Sequence, residues 1–154
     1  MKKEEINWVW KEFKALTADE LYSILKLRIE VFSVEQECIY QDLDGIDNLS
    51  FHLMGLDNSD ELVAYLRLIS PDVKFKEPSI ARVVTSLKAN FRGMGLGKLL
   101  VEKGIKKSME LYPNQGNRIG AQKRLVGFYE YFGFKISGSA YLEDGIPHIN
   151  MVLD

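Results

Sequence analysis

The sequence predicts an α/β domain of the mixed α+β kind, with a central twisted mixed sheet flanked by helices. Three observations carry this. The chain has 154 residues, enough for one domain with one sizeable core. Hydrophobic residues make up 46% and charged residues 27%, the balance of an ordinary globular protein. Short alternating or apolar runs with strand character are interleaved with segments of helical spacing, in the order β-α-loop-β-β-β-α-β-α-β-β. No repeat or internal boundary interrupts that order, so residues 1–154 read as a single domain.

Each element has its own signal. Ile6, Trp8 and Trp10 alternate with more polar neighbours up to Phe13, which predicts a first strand. Thr17 and Glu20 form a capping-box pattern. Leu21, Ile24, Leu25, Arg28 and Phe32 then keep helical spacing, and the helix is expected to end near Ser33 to Glu35. Residues 35–50 are polar and turn-rich and read as a functional loop or broken helix. His52 to Leu56 and Leu62 to Ile69 form a hairpin about the turn at 57–60. After a loop from Pro71 to Pro78, Ile80 to Ser86 is a strand that leads to a glycine-rich turn. Gly97 to about Tyr112 is the main helix, stopped by Pro113. Asn117 to Gln122 is a short strand and Leu125 to Tyr131 a short helix. Phe134 to Tyr141 and His148 to Leu153 read as a closing pair of strands.

Composition excludes several classes. The net charge is −2 and the basic residues are scattered, so there is no electrostatic footprint for nucleic acid. No apolar run approaches the ~20 residues that span a bilayer, and no apolar signal core follows the charged N-terminus. Cys38 is the single cysteine and can form no intrachain disulfide. A cytoplasmic monomer or homodimer is the expected setting. The two histidines and one cysteine give no metal-site spacing. The Asp42-Leu43-Asp44-Gly45 stretch has its glycine too early for an EF-hand loop, so no metal is expected.

The most informative stretch is Arg92-Gly93-Met94-Gly95-Leu96-Gly97-Lys98, set between a strand and a helix. Such a turn points backbone N–H groups at one spot, and the helix start adds partial positive charge, so it makes a seat for a phosphate or pyrophosphate. A P-loop needs glycine where Arg92 stands and Ser or Thr where Leu99 stands, so that motif fails. A dinucleotide fingerprint begun at Gly93 needs glycine where Lys98 stands, so it fails too. What remains is R-x-x-G-x-G, which resembles the acetyl-CoA pyrophosphate loop of the GNAT superfamily of N-acetyltransferases.

Further segments carry the same resemblance over nearly the whole chain. Phe128-Tyr129-Glu130-Tyr131-Phe132-Gly133-Phe134 is similar to the F-Y-E-x-x-G-F segment on the last helix of these enzymes. The run from Glu35 to Asp47 followed by His52, the stretch Arg82 to Ser86, and the segment Glu143 to Ile149 resemble ElaA-like acetyltransferases in particular. The connection from Ser86 to Arg92 is longer than is usual in that family.

The resemblance implies an acetyl-CoA-dependent enzyme acting on an amine. It places the pantetheine arm along Val84 and Thr85, with the Thr85 N–H as oxyanion donor, and the pyrophosphate at Arg92 to Lys98. Tyr129 would be the general acid for the departing thiolate, with Phe128 beside the cofactor; a core aromatic is the plain alternative. Gln122 would border the gap that admits the pantetheine, or else lie on the surface. Glu35, Gln36, Asp44, Glu143 and His148 would build the acceptor site, with Glu35 or His148 taking the amine proton. Acid-rich walls suit a small cationic amine, although each acidic residue of the loop taken alone reads better as part of a solvated turn. His52 reads as structural and Cys38 as a packing residue rather than a nucleophile. Two other readings of the same fold are a non-catalytic acyl-CoA sensor and an acetyltransferase for protein lysines or N-termini.

Overall fold

The computed structural model describes residues 5–35, 40–87 and 95–154, with the backbone alone at Glu35. Strand β1 (Asn7–Glu12) leads into helix α1 (Ala18–Ile29). The capping box forms: Thr17 Oγ1 accepts from the Glu20 N–H at 3.1 Å, and Glu20 Oε1 accepts from the Thr17 N–H at 2.9 Å. The helix continues through wider, π-type turns over Glu30–Glu35, where the sequence predicts its end.

Strands β2 (Ser50–Leu56), β3 (Leu62–Ile69) and β4 (Ser79–Thr85) complete an antiparallel sheet in the order β1-β2-β3-β4. Asp57 makes the hairpin turn by accepting from the Ser59 and Glu61 N–H groups at 2.8 and 3.0 Å. On β4 the register breaks. Tyr65 faces Val84 but Arg67 faces Ala81, so β4 holds one residue more than β3 there. Arg82 sits in this bulge with φ of 52°, a strained setting for a non-glycine residue.

Helix α2 (Leu96–Leu111) follows the glycine turn, then β5 (Asn117–Gln122) and the short helix α3 (Val126–Glu130). The last residues make β6 (Lys135–Ile136), β7 (Tyr141–Glu143) and β8 (Ile146–Leu153). Strand β8 is central in the second sheet, with β5 on one edge and β6 and β7 on the other. The expected continuous strand from Phe134 to Tyr141 is therefore two short ones. The small residues after Ser137 leave the ladder, with Gly138 at φ of 97°. Asp144 and Gly145 both take positive φ in the tight β7–β8 turn, as an Asp-Gly hairpin requires.

The two sheets meet at β4 and β5, which run side by side in the same direction from a common start. The Arg118 N–H donates to Pro78 O at 3.0 Å, and Asn117 Oδ1 accepts from the Ile80 N–H at 3.2 Å. Asn117 Nδ2 donates to Ser108 Oγ at 3.1 Å, which ties α2 to the same point. Past this clamp no strand ladder joins β4 to β5.

Alternation sets the two faces of the first sheet. Met54, Tyr65 and Val84 pack on Ile24, Leu27 and Val31 of the α1 segment. Leu53, Leu66 and Val63 pack on Leu96 and Leu100 of α2. At Gly104 the helix comes so close that an added Cβ would lie 2.8 Å from Leu66 Cδ2.

Candidate functional site

The separation of β4 from β5 opens a cleft of about 290 Å³. Its walls come from four distant stretches: the end of the α1 segment with the 40–44 loop, the β3–β4 loop with β4, β5 with α3, and the β7–β8 turn. Ile80, Ala81, Ile119 and Ala121 give it an apolar floor, and Gln122, Tyr129, Glu143, Asp144 and His148 line it as the sequence anticipates for a common site.

Tyr129 is 8% exposed, and burial alone pushes its hydroxyl up to about 12. It is held among aromatic rings, with Phe128 and Phe134 both near edge-on at 5.1 and 5.9 Å between centroids. Its hydroxyl makes no hydrogen bond to a described residue. Gln122 borders the cleft with its side-chain oxygen bound by Arg124 Nε at 3.0 Å.

His148 is 8% exposed and stacks on Tyr141 at 6.0 Å. Its Nδ1 lies 2.8 Å from Ile146 O, and since a carbonyl only accepts, Nδ1 carries a proton. In the neutral ring this leaves the lone pair on Nε2, 3.5 Å from Glu143 Oε2. His52, in contrast, is fully buried. Its Nε2 donates to Asp47 O at 2.8 Å and its Nδ1 accepts from the Tyr65 hydroxyl at 2.7 Å. Both nitrogens are committed to structure.

Along β4, residues alternate in what they offer. The Ala64–Thr85 pair is not a hydrogen-bonded one, because the neighbouring Ser86 N–H donates to Val63 O at 2.7 Å. The Thr85 N–H therefore points away from β3, toward the gap. Val84 points the other way, with its side chain in the core beneath α1. Val83, beside the bulge, lines the cleft in its place.

At the glycine turn, Gly95 takes φ of 74° and its carbonyl receives the Leu99 N–H at 3.1 Å. The earlier N–H groups of α2 have no partner within the helix. Among the described residues, a Cβ on Gly97 would meet Phe128 Cζ at 3.9 Å and nothing nearer. Lys98 is exposed, with its ammonium 4.1 Å from the centre of the Tyr131 ring. Arg92, Gly93, Met94, Gln36 and Cys38 lie outside the described residues, as does the side chain of Glu35. Phe32, on the same turn-rich segment as Glu35, reaches the cleft.

The acidic loop differs most from expectation. From the sequence, Asp44 is expected in an acid-rich acceptor wall, although Asp42, Asp44 and Asp47 each read more simply as parts of a solvated loop. In the structure Arg28, Arg67 and Arg82 neutralise them. Arg28 bonds Asp47 Oδ1 at 2.7 Å and Asp42 Oδ2 at 3.0 Å. Arg67 clasps both oxygens of Asp44 at 2.8 and 2.6 Å and reaches Asp47 at 3.0 Å. Arg82 bonds Asp42 Oδ1 at 3.0 Å and Asp44 Oδ2 at 3.4 Å. Burial opposes ionisation of Asp44, but Arg67 outweighs it and holds the carboxyl well below its usual range. Asp44 thus lines the cleft with its charge already paired, and it is no anchor for an ammonium. Among the cleft residues not expected at the site are the polar Tyr40, Lys74 and Arg82. Arg28 and Arg67, charged residues at core positions of apolar segments, were the available signal, because a buried charge requires a partner.

Comparison with known proteins gives a consistent result. Residues 15–154 match the family model for the acetyltransferase (GNAT) domain. A UPF0039 protein of Synechocystis is 47% identical over 96% of this chain and 95% of its own length. The solved acyl-CoA N-acyltransferase of Pseudomonas aeruginosa superposes with a TM-score of 0.89 at 39% identity, covering 97% of this chain and 99% of that one. Escherichia coli ElaA superposes with a TM-score of 0.87 at 38% identity, covering 97% and 99%. No helix among the described residues is long and apolar enough to cross a membrane.

Proposed function

The chain therefore belongs to the GNAT acetyltransferase family, and on that premise we propose that it moves an acetyl group from acetyl-CoA directly onto a primary amine of a small acceptor. One observation carries this reading. The gap between β4 and β5 brings a buried tyrosine and a histidine whose Nε2 lies beside Glu143 to one cavity, past a backbone N–H aimed into the gap.

The residues present fit the cofactor. The N–H groups at the start of α2, which have no partner within the helix, and its positive dipole end suit a pyrophosphate, and among the described residues nothing comes nearer to a Cβ at Gly97 than Phe128, at 3.9 Å. Lys98, with Arg92 beside it in sequence, adds formal charge. Acetyl-CoA supplies an acyl carbon activated by a thiolate leaving group. The Thr85 N–H donates to the oxygen on which negative charge develops. Tyr129 is protonated at neutral pH, as any phenol is, and burial pushes its hydroxyl further up; it would give its proton to the departing sulfur. His148 Nε2 takes the amine proton, with the ring held by the Nδ1 bond to Ile146 O. The balance is one N–C bond formed, one C–S bond broken, one proton to His148 and one from Tyr129. Glu35 is the alternative base, and Gln122 borders the path of the pantetheine arm.

The test is a thiol-release assay with acetyl-CoA over polyamines, amino acids, aminoglycosides and lysine peptides. Release with a small amine is expected. Acetyl-CoA bound but never turned over would make the protein an acyl-CoA sensor, and turnover limited to peptides would make it a protein acetylase. Gly97→Val keeps ordinary contacts in the protein, so calorimetry should show a folded variant with weakened acetyl-CoA binding. Unchanged affinity would remove the cofactor from that turn.

A further inference from the structure

The charges around the cleft are not those of a site for a simple cation. Asp44 is held by Arg67 and Arg82, so the loop side of the cleft presents little unpaired negative charge. Across from it Lys74 lines the same cavity from the β3–β4 loop. Among the described residues, no carboxylate lies within ion-pair distance of its ammonium. The ammonium lies over the face of Phe75, 5.5 Å from the ring centre. That ring is itself fixed, since Arg118 of β5 lies over it at 6.0 Å and is held by Glu77 at 3.2 Å. A turn closed by the Asp72 N–H on Phe75 O at 2.8 Å supports the same loop. Lys74 is an exposed residue at the mouth of the cleft, yet partial desolvation there and the neighbouring Arg82 and Arg67 disfavour its charge, while Glu143 and Asp44 support it from a distance. A cation placed this way gains from any anion that enters.

That anion is not the cofactor's phosphate. Lys74 precedes the start of β4, whereas the glycine turn follows its end. A strand of this length separates the two by about 20 Å. Lys74 shares its end of the cleft with Glu143 and His148. We propose that the acceptor is a small amine that also carries a carboxylate, with the amine toward Tyr129 and His148 and the carboxylate on Lys74. This rests on the transferase reading above and narrows it from amines in general to amino carboxylates.

The experiment compares amino acids with their own carboxamides as acceptors, by thiol release, in the wild type, Lys74→Met and Lys74→Arg. The wild type should prefer the carboxylate by about tenfold in kcat/KM, the weight of one charge-assisted hydrogen bond, and chiefly through KM. Lys74→Met should erase that preference, and Lys74→Arg should keep part of it. The change in ratio between proteins cancels the intrinsic reactivity of each amine. Thermal melting checks that the exposed loop tolerates both variants. Turnover that favours carboxamides or diamines in the wild type would overturn the proposal, as would a ratio unmoved by Lys74→Met. If no amine at all releases thiol, the transferase reading fails and this proposal falls with it.

Discussion

Residues 42–47 and residues 143–148 both bring carboxylates to the cleft, and a reader of the sequence would treat them alike. Their surroundings separate them. Asp42 and Asp47 meet Arg28, whose side chain is 0% exposed, and Asp44 meets the equally buried Arg67. Glu143 stays about half exposed, and its ion-pair partner among the described residues is the imidazole of His148, at 3.5 Å. The first segment uses its charge to fasten a loop onto the α1 face of the sheet. The second leaves its charge beside a group that can move a proton. An acidic residue near a site is informative only once its partner is known.

The largest effect should come from breaking the fastened set. Arg28→Met leaves Asp42 and Asp47 without their buried cation, and the expected loss is about 3 kcal/mol or more, seen as a lower midpoint in urea. The same network makes stability depend on acid. Asp44 and Asp47 have folded-state values held below the ordinary carboxyl range by Arg67 and Arg28, against the opposing effect of burial. A depressed value adds stability that is complete above the unfolded value and is lost as pH falls through the folded one. Melting temperature should therefore be flat near neutrality and drop below about pH 4. A variant with Asp47→Asn should start lower and show a shallower drop. An Arg28→Met protein as stable as the wild type would end the distinction between the segments.

A smaller effect belongs to the chemical side. Tyr129→Phe keeps the ring packing and removes the proton donor. Because a thiolate is a tolerable leaving group, the expected loss is at the low end, about 10²-fold in kcat, with acetyl-CoA affinity little changed. Full kcat would leave Tyr129 as a packing residue, and a loss confined to KM would make its hydroxyl a binding group.

How far the sequence reached follows the same division. Elements with one strong local signal were legible. The Thr17–Glu20 cap, the β2–β3 hairpin and the strand-turn-helix at Gly95 depend on residues close in sequence. The splitting of β6 from β7 was missed because Ser137 still bonds Asn150 O of β8 and only the residues from Gly138 to Ala140 leave the ladder, where β8 has no register for them. That Val83 rather than Val84 turns its side chain to the gap was not legible, because the bulge at Arg82 sets which strand residues face it, and a single inserted residue has no sequence mark. The pairing of Arg28 with Asp42 and Asp47 joins a helix to a loop through tertiary packing, so composition alone made the loop look acidic. His148, Tyr129 and Glu143 were legible as a group only because the family resemblance aligned the ends of the chain.

The smallest expected effect gives the sharpest comparison. Glu143→Gln removes one carboxylate charge from the cleft, as Asp47→Asn does from the loop, with the same change of atoms. Asp47 is bonded by two buried guanidinium groups, so its neutralisation leaves both with fewer counter-charges inside the protein. Glu143 is exposed and its pairing with His148 is long, so solvent takes up most of the difference. Glu143→Gln should change stability by less than about 0.5 kcal/mol. The imidazole should keep its orientation, because that is set by the Nδ1 bond to Ile146 O and by stacking on Tyr141. Turnover should then fall modestly rather than collapse, whereas His148→Ala, which removes the ring itself, should cost clearly more. Matched urea curves for Glu143→Gln and Asp47→Asn decide the point. Equal destabilisation would mean that both acidic segments are structural, and His148 would lose its place as the base that the exposed segment presents to the acceptor.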